Sequence, residues 1–181
     1  METTILTVDY NMSRIAMVRA GNYYELVSCH GSHLKLFARD KVMFPCVGTG
    51  KVTFEPKLFS LNHVIELGDM KKEMKSQGFE PAKTEHLLAF GAAFPEKQLE
   101  YGIRSDDPGH DDWDTKKKYR SIIAPGSMAK THASYHSWVR LTSLGETRLV
   151  GYESLGSDPG DRLKLFPYDH FLGVRVIQPK S

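Results

Sequence analysis

Residues 67–98, "LGDMKKEMKSQGFEPAKTEHLLAFGAAFPEKQ", decide the fold class, because helical periodicity replaces strand-like patterns there. Leu67, Met70 and Met74 recur at the spacing that places apolar side chains on one helical face, with lysine and glutamate side chains opposite. Gly78 follows at the position where a glycine commonly ends a helix. The stretch therefore predicts a first helix over about residues 67–77, with its methionines in the core.

A second helix is predicted after "FEPA", beginning near Lys83. Leu87, Leu88 and Phe90 are its core residues. The helix ends before Pro95, because the residue that precedes a proline disfavours the α region.

Strand-like runs flank these two helices. Before them come residues 5–8, "RIAMVRA" (14–20), "YYELVSCH" (23–30), "HLKLFARD" (33–40) and "GKVTFEPKLFSL" (50–61). Gly21–Asn22 separates two of these runs and predicts a hairpin. After the helices come "YRSIIAP" (119–125), "SYHSWVRLTS" (134–143), "TRLVGYESL" (147–155), "RLKLFPY" (162–168) and "FLGVRVIQ" (171–178). Short turns cannot make parallel crossovers, so we expect one compact α+β domain over residues 1–181, with a largely antiparallel sheet and two central helices.

Composition narrows the class of protein. Of the 181 residues 40% are hydrophobic and 25% charged, which is typical of a globular chain and argues against disorder. The formal net charge of +2 falls far short of the basic stripe of a dedicated nucleic-acid binder, so nucleic acid is not indicated as a partner. No apolar run has the length of a membrane span, and no membrane partner is expected.

The two cysteines, Cys29 and Cys46, are too few for a disulfide framework. The first residues lack the basic and apolar regions of a secretory signal. We therefore expect a cytoplasmic protein with two reduced thiols, although a single disulfide stays an alternative. The sequence leaves the oligomeric state open.

The segment over residues 44–98 resembles a set of small bacterial proteins without an assigned activity. Their pattern is a Gly-x-Gly-Lys-Val strand, a helix ending in Gly, a "G-(F/L)-R-P-A-T-x-x-E-L-L-A-F-G…Y-P-x-x-Q" segment and a closing "F-L-x-V-R". The matching residues are Gly78, Phe79, Pro81, Ala82, Leu87 to Gly91, Pro95, Gln98, Phe171, Leu172, Val174 and Arg175. Glu80, Lys83 and His86 depart from the pattern, standing where the set has Arg, Thr and Glu. Lys83 lacks the side-chain oxygen of an N-cap, so the helix start is expected to shift by a residue.

Two shorter signatures resemble C-type-lectin-like domains of the formylglycine-generating-enzyme kind. They are the helix entry "GFEPAKTE" and the strand "FLGVRVIQ". This resemblance implies a C-type-lectin-like fold. It implies no chemistry, because the paired catalytic cysteines of that enzyme have no matching motif in this chain.

The stretch Ser105–Tyr119, "SDDPGHDDWDTKKKY", carries the densest group of charged side chains. Asp107, His110 and Asp112 are candidate ligands of a divalent cation, which prefers several oxygen donors from a flexible loop. The spacing does not fit the EF-hand template, and Asp-Pro-Gly forms a turn by itself, which favours a solvated loop. Trp113 either packs on the core or is an exposed binding anchor.

The stretch "THASYHSWVRL" is the second candidate site. His132 and His136 are four residues apart, which places both on one face of a strand. Tyr135, Trp138 and Arg140 complete a possible ligand-facing surface. The alternative is that these polar and aromatic side chains lie on an edge strand with their hydrogen bonds satisfied.

These features predict a binding module for a protein or a small-molecule ligand, with no cofactor required. Its binding residues would be Trp113, Lys117, Tyr135, His136, Trp138 and Arg140. An exposed aromatic patch is expected on the strand of Trp138, unless that strand is central in the sheet. The alternative is a metal-assisted hydrolase or nucleotide-processing enzyme that uses His132, His136 and the aspartates of the loop.

Overall fold

The computed structural model describes residues 4–25, 27–28, 31–32, 48–100, 121–127, 129–130, 136–144, 146–154, 164–165 and 169–177. The helices are α1 Arg14–Ala20, α2 Leu67–Ser76, α3 Thr84–Ala93 and α4 Pro95–Glu100, with a 3₁₀ turn at Pro125–Ser127. The strands are β1 Leu6–Asp9, β2 Tyr24–Glu25, β3 Val27–Ser28, β4 Gly31–Ser32, β5 Lys51–Ser60, β6 Ile65–Glu66, β7 Glu80–Pro81, β8 Ile122–Ile123, β9 Ala129–Lys130, β10 His136–Leu144, β11 Thr147–Ser154, β12 Lys164–Leu165 and β13 His170–Val176.

Nine of these strands form one curled sheet in the order β1-β5-β13-β8-β10-β11-β2, with β7 beside β13 and β9 beside β10, whereas β6 pairs with β12 and β3 pairs with β4 in two separate two-stranded sheets. Its pairings are antiparallel except those of β13 with β8 and of β11 with β2. The expected α+β class, with a mainly antiparallel sheet in a single compact domain, is confirmed.

The central strands are buried on both faces. Neighbouring residues of β10, β8 and β13 belong alternately to two apolar clusters, because successive side chains of a strand point to opposite faces. Val139 lies in the cluster beneath α1 and α3, whereas Trp138 lies in the cluster beneath α2. The sheet therefore lies between two helical layers.

The two expected central helices form where the apolar spacing predicts them. Leu67, Met70 and Met74 are the buried residues of α2, and Gly78 follows the helix with a φ of 78°, a conformation that glycine adopts without strain. The N-terminal residue of α3 is Thr84, one position after Lys83, and Pro95 opens the separate helix α4, as proline often does at a first helical position.

The strand predicted for residues 14–20 and the hairpin at Gly21–Asn22 are wrong. These residues form the helix α1, because the Ser13 side chain accepts a hydrogen bond from the backbone N–H of Ala16 at 3.2 Å and caps the helix start. Gly21 ends the helix, and a Cβ at that position would collide with the Tyr23 ring. The chain then enters β2, which runs parallel to β11 and pairs with no strand of the expected hairpin.

Candidate binding groove

Most of the sequence-predicted site residues lie outside the part of the chain that the structure describes: Asp107, His110, Asp112, Trp113, Lys117, His132 and Tyr135, and so do Cys29 and Cys46. The cation site and the enzyme hypothesis therefore stay predictions. His136 is described through its backbone, which pairs with Lys130 at the start of β10. Within the described ranges, no three His, Cys, Asp or Glu side chains are close enough together to hold a metal ion.

Trp138 is a core residue, and the exposed position expected for it is wrong. Its side chain is 2% exposed and packs edge-on against Phe171, with ring centroids 6.1 Å apart. The physical reason is that β10 is an interior strand of the sheet and that apolar clusters cover both faces, with Trp138 in the cluster of α2. Arg140, on the same strand, is half-buried, and its Nη1 donates to Ser121 Oγ at 3.5 Å.

An apolar groove of about 360 Å³ opens between β1, α1 and α3, and it is here called the α1–α3 groove. Residues 6–9 form one side, and Met12, Met17 and Ala20 form the second. This volume lies within the roughly 300–1,000 Å³ of typical ligand pockets. Sequence reasoning missed the groove, because it depends on the contact of β1 with a helix some eighty residues later.

Small side chains keep the α1–α3 groove open on its third side. α3 contributes Leu88 together with Ala89, Ala92 and Ala93. Alanine has a single methyl group, so three of them along one helix leave a trough where leucines would fill it. The sequence signal was "LLAFGAA", which has large and small apolar residues on different faces of the helix.

An ion pair holds α1 to α3 near one end of the groove. Arg14 Nε donates to Glu85 Oε1 at 2.9 Å, and the two side chains are 9% and 1% exposed. The carboxylate lies in the first turn of α3, where negative charge interacts favourably with the helix dipole. This contact links the start of α1 to the first turn of α3.

A second group of polar contacts holds the other end of the groove. The Tyr23 hydroxyl donates to the Leu88 carbonyl oxygen at 3.1 Å. The Arg148 guanidinium lies over the Tyr23 ring, donates to Gly21 O at 2.6 Å, and also donates to Gly91 O. Burial raises the pKa of the Tyr23 phenol above its usual range, although Arg148 acts in the opposite direction. The groove is therefore held at both ends without any ligand.

Exposed apolar side chains and a sheet edge border the groove. Ile5 is 54% exposed and Met12 is 38% exposed, although both are apolar. β1 pairs with β5 on one side and, among the described strands, is the terminal strand of the sheet. A terminal strand presents backbone N–H and C=O groups that another strand can pair with.

His86 lies outside the groove lining, where α3 contacts Tyr10 in the segment that joins β1 to α1. Its Nδ1 accepts a hydrogen bond from the Lys83 backbone N–H at 3.1 Å, and its Nε2 lies 2.9 Å from the Tyr10 hydroxyl. Its ring also contacts the edge of Phe54, with centroids 5.0 Å apart. Burial, and then the nearby Lys83 ammonium, lower the pKa of His86 from 6.5 to about 4.

A larger cleft of about 590 Å³ lies between α2, β7 and the 3₁₀ turn. Its lysines are largely neutralised by neighbouring carboxylates: Lys72 lies 2.8 Å from Asp69, and Lys75 lies 3.6 Å from Glu80. Because the cleft is lined by exposed side chains of both charges, it favours neither anionic nor cationic ligands. The α1–α3 groove is the better candidate site because it is apolar and polar contacts join the elements that form it.

No protein-family model, no curated protein and no solved structure matches this chain. The resemblances to the set of small bacterial proteins and to C-type-lectin-like domains therefore stay predictions. None of the helices in the described ranges has both the length and the apolar character needed to cross a bilayer.

Proposed function

We propose that this protein is a binding module whose α1–α3 groove takes an extended apolar segment of a partner protein. The segment adds to the outer edge of β1 and places an apolar side chain between α1 and α3. The observation that carries the proposal is the position of β1, which is terminal among the strands that the structure describes, directly beside an apolar groove. A cytoplasmic location of the protein is part of the same proposal and rests on the cysteine content of the sequence.

Two physical features support a peptide over a compact small molecule. Strand addition satisfies main-chain hydrogen bonds in a row, while pockets beside the strand select alternate side chains. Ile5, which is exposed and directly precedes the lining residue Leu6, extends the apolar surface along the strand beyond the groove, and Met12 of the groove wall is also exposed. A segment with alternating apolar residues would cover the groove and Ile5 together.

The framing contacts at both ends favour binding without rearrangement. Arg14 with Glu85, and Arg148 with Gly21 and Gly91, join the groove walls through hydrogen bonds in the unbound protein. A groove that is already formed loses less conformational entropy when its ligand binds.

A displayed library of random linear peptides tests the proposal directly. We expect peptides with alternating apolar residues to be enriched on the wild-type protein and to slow amide hydrogen exchange over residues 6–9. Ala92→Leu fills the groove from an exposed position on α3 and should weaken those peptides at least tenfold. Ser76→Leu, on the exposed surface of α2, is the matched control and should leave their affinity unchanged.

Two results would refute the proposal. One is that no peptide is enriched on the wild type over the Ala92→Leu protein. The other is that enriched peptides bind both variants equally well, which would place their site elsewhere. Thermal melts of each variant establish that the substitutions leave the fold intact.

A further inference from the structure

The start of α3 is held by an unusual set of groups. Lys83 occupies the N-cap position but has no side-chain acceptor, and its backbone N–H donates to His86 Nδ1 instead. Glutamate or glutamine ordinarily makes this contact from the third helical position. The next N–H, of Thr84, donates to Ser127 Oγ at 2.6 Å. An imidazole, whose ordinary pKa is near 6.5, therefore performs the capping role.

The same imidazole joins α3 to Tyr10, in the segment between β1 and α1. Because Nδ1 accepts from Lys83, the neutral ring carries its proton on Nε2 and donates it to the Tyr10 hydroxyl. Tyr10 directly follows β1 and precedes α1. The His86 ring is thus the junction between the helix and the strand that together line the groove.

Protonation of His86 is incompatible with the Lys83 contact, whereas the Tyr10 contact, in which Nε2–H already donates, is retained. The cation carries a hydrogen on Nδ1, which would then face the Lys83 N–H, donor against donor. Among the described residues, Tyr10 from the β1–α1 connection and Lys83 from its own segment act on the ring, and Glu85 directly precedes His86 in α3. The Glu85 carboxylate is bound to Arg14, so its attraction for a second cation is reduced, and the Lys83 ammonium repels that cation.

We propose that His86 is an acid-sensitive latch: its protonation breaks the hydrogen bond from the Lys83 N–H, uncaps the start of α3 and loosens that helix beside the α1–α3 groove. The latch regulates the binding site of the proposed function, and its effect on peptide affinity rests on that function. The loosening of the α3 start does not depend on the proposed function, because it requires no ligand in the groove.

The size of the effect follows from the difference in proton affinity between the closed and open states. In the open state the ring contacts water and has a pKa near 6.5, whereas in the closed state its pKa is about 4. The open population therefore increases as the pH falls below 6.5. Between pH 7 and pH 5 it should rise about 20-fold.

Amide hydrogen exchange at Lys83 and Thr84, measured by NMR at pH 7 and pH 5, tests the latch. We expect the protection factors of these amides to fall about 20-fold in the wild type. His86→Gln keeps an acceptor for the Lys83 N–H but cannot titrate, so its protection factors should not depend on pH. Equal changes in both proteins, or no change in either, would overturn the latch.

Two further measurements keep the result decisive. If His86→Gln does not fold, the ¹⁵N chemical shifts of the His86 ring are measured in the wild type instead. A ring that titrates near pH 6.5 while the protection factor of Lys83 stays constant overturns the latch. A neutral ring at pH 5 together with reduced protection supports it. Ala92→Leu should retain the pH dependence at Lys83 even if no peptide binds the groove, which separates failure of the proposed function from failure of the latch.

Discussion

Arg14 Nε lies 2.9 Å from Glu85 Oε1, and this ion pair is shielded from water although it borders an open groove. Removal of one partner leaves a buried charge without compensation. We expect Glu85→Ala to lower the free energy of unfolding by about 3–5 kcal/mol, measured by urea denaturation. The exposed pair Lys97–Glu100 is the control, and Glu100→Ala should cost less than about 1 kcal/mol. Similar costs for both substitutions would show that the Arg14–Glu85 pair is solvated.

Trp138 supports the core through its size. Trp138→Ala should lower the free energy of unfolding by about 3–5 kcal/mol, because a cavity would form beneath α2 beside Phe171. Tyr24, which is 64% exposed, is the aromatic control, and Tyr24→Ala should change stability by no more than about 0.5 kcal/mol. Chemical denaturation of both variants makes the comparison. An unchanged melting temperature in Trp138→Ala would contradict the burial of the Trp138 side chain.

Gly91 is required because α3 approaches Tyr23 and Leu141 closely. A Cβ at this position would collide with the Tyr23 hydroxyl and with a methyl group of Leu141. Gly91→Ala should therefore destabilise the protein by roughly 1–3 kcal/mol, although alanine is the better helix former. In a Tyr23→Phe background part of the clash is absent, so the same substitution should cost less. Additive costs in the double-mutant cycle would argue against the contact.

The stability of the protein should decrease in acid because of His86. Its pKa in the folded state, about 4, is below the unfolded value of 6.5, so the unfolded chain binds more protons between these two pH values. Stability contributed by the neutral ring is complete above pH 6.5 and is lost as the pH falls towards 4, by roughly 3 kcal/mol in total. Urea denaturation over this range should show a steeper loss in the wild type than in His86→Gln. Parallel curves would contradict the low pKa.

The helices that the sequence predicted are those whose apolar residues repeat over three turns. α2 and α3 each have ten residues, enough for a stripe of core side chains to be recognised. α1 has seven residues, and Ile15, Met17 and Arg19 alternate as a strand would. Ser13 was the local signal that decides the conformation, since its hydroxyl caps the first turn. A prediction from apolar periodicity alone therefore misses a short helix whose start depends on one capping side chain.

The groove was beyond prediction from local patterns because its walls are distant in the chain. Residues 6–9 meet Ala89 and Ala92 only after β1 has paired with β5 and α3 has packed over the sheet. The burial of Trp138 has the same origin. Its local sequence is equally consistent with an exposed strand, and the strand order places β10 inside the sheet.

Several residues that carry the resemblance to the small bacterial proteins contact one another. The Arg175 guanidinium lies over the Phe79 ring, 4.3 Å from its centroid, and donates to Gly78 O at 3.2 Å. These residues attach the end of α2 to β13. Their pattern in the sequence therefore has a structural explanation that requires no catalytic role.

β13 comes later in the chain than all of the strands with which it pairs. It nevertheless lies in the interior of the sheet, where it pairs with β5, β7 and β8. During translation, the earlier strands must leave the ribosome with a gap where residues 170–176 will later insert. Such delayed, non-local pairing slows folding and exposes apolar strand edges in the meantime. The nascent chain should therefore depend on chaperones until β13 has emerged, and stalling synthesis before residue 170 should leave a protease-sensitive intermediate.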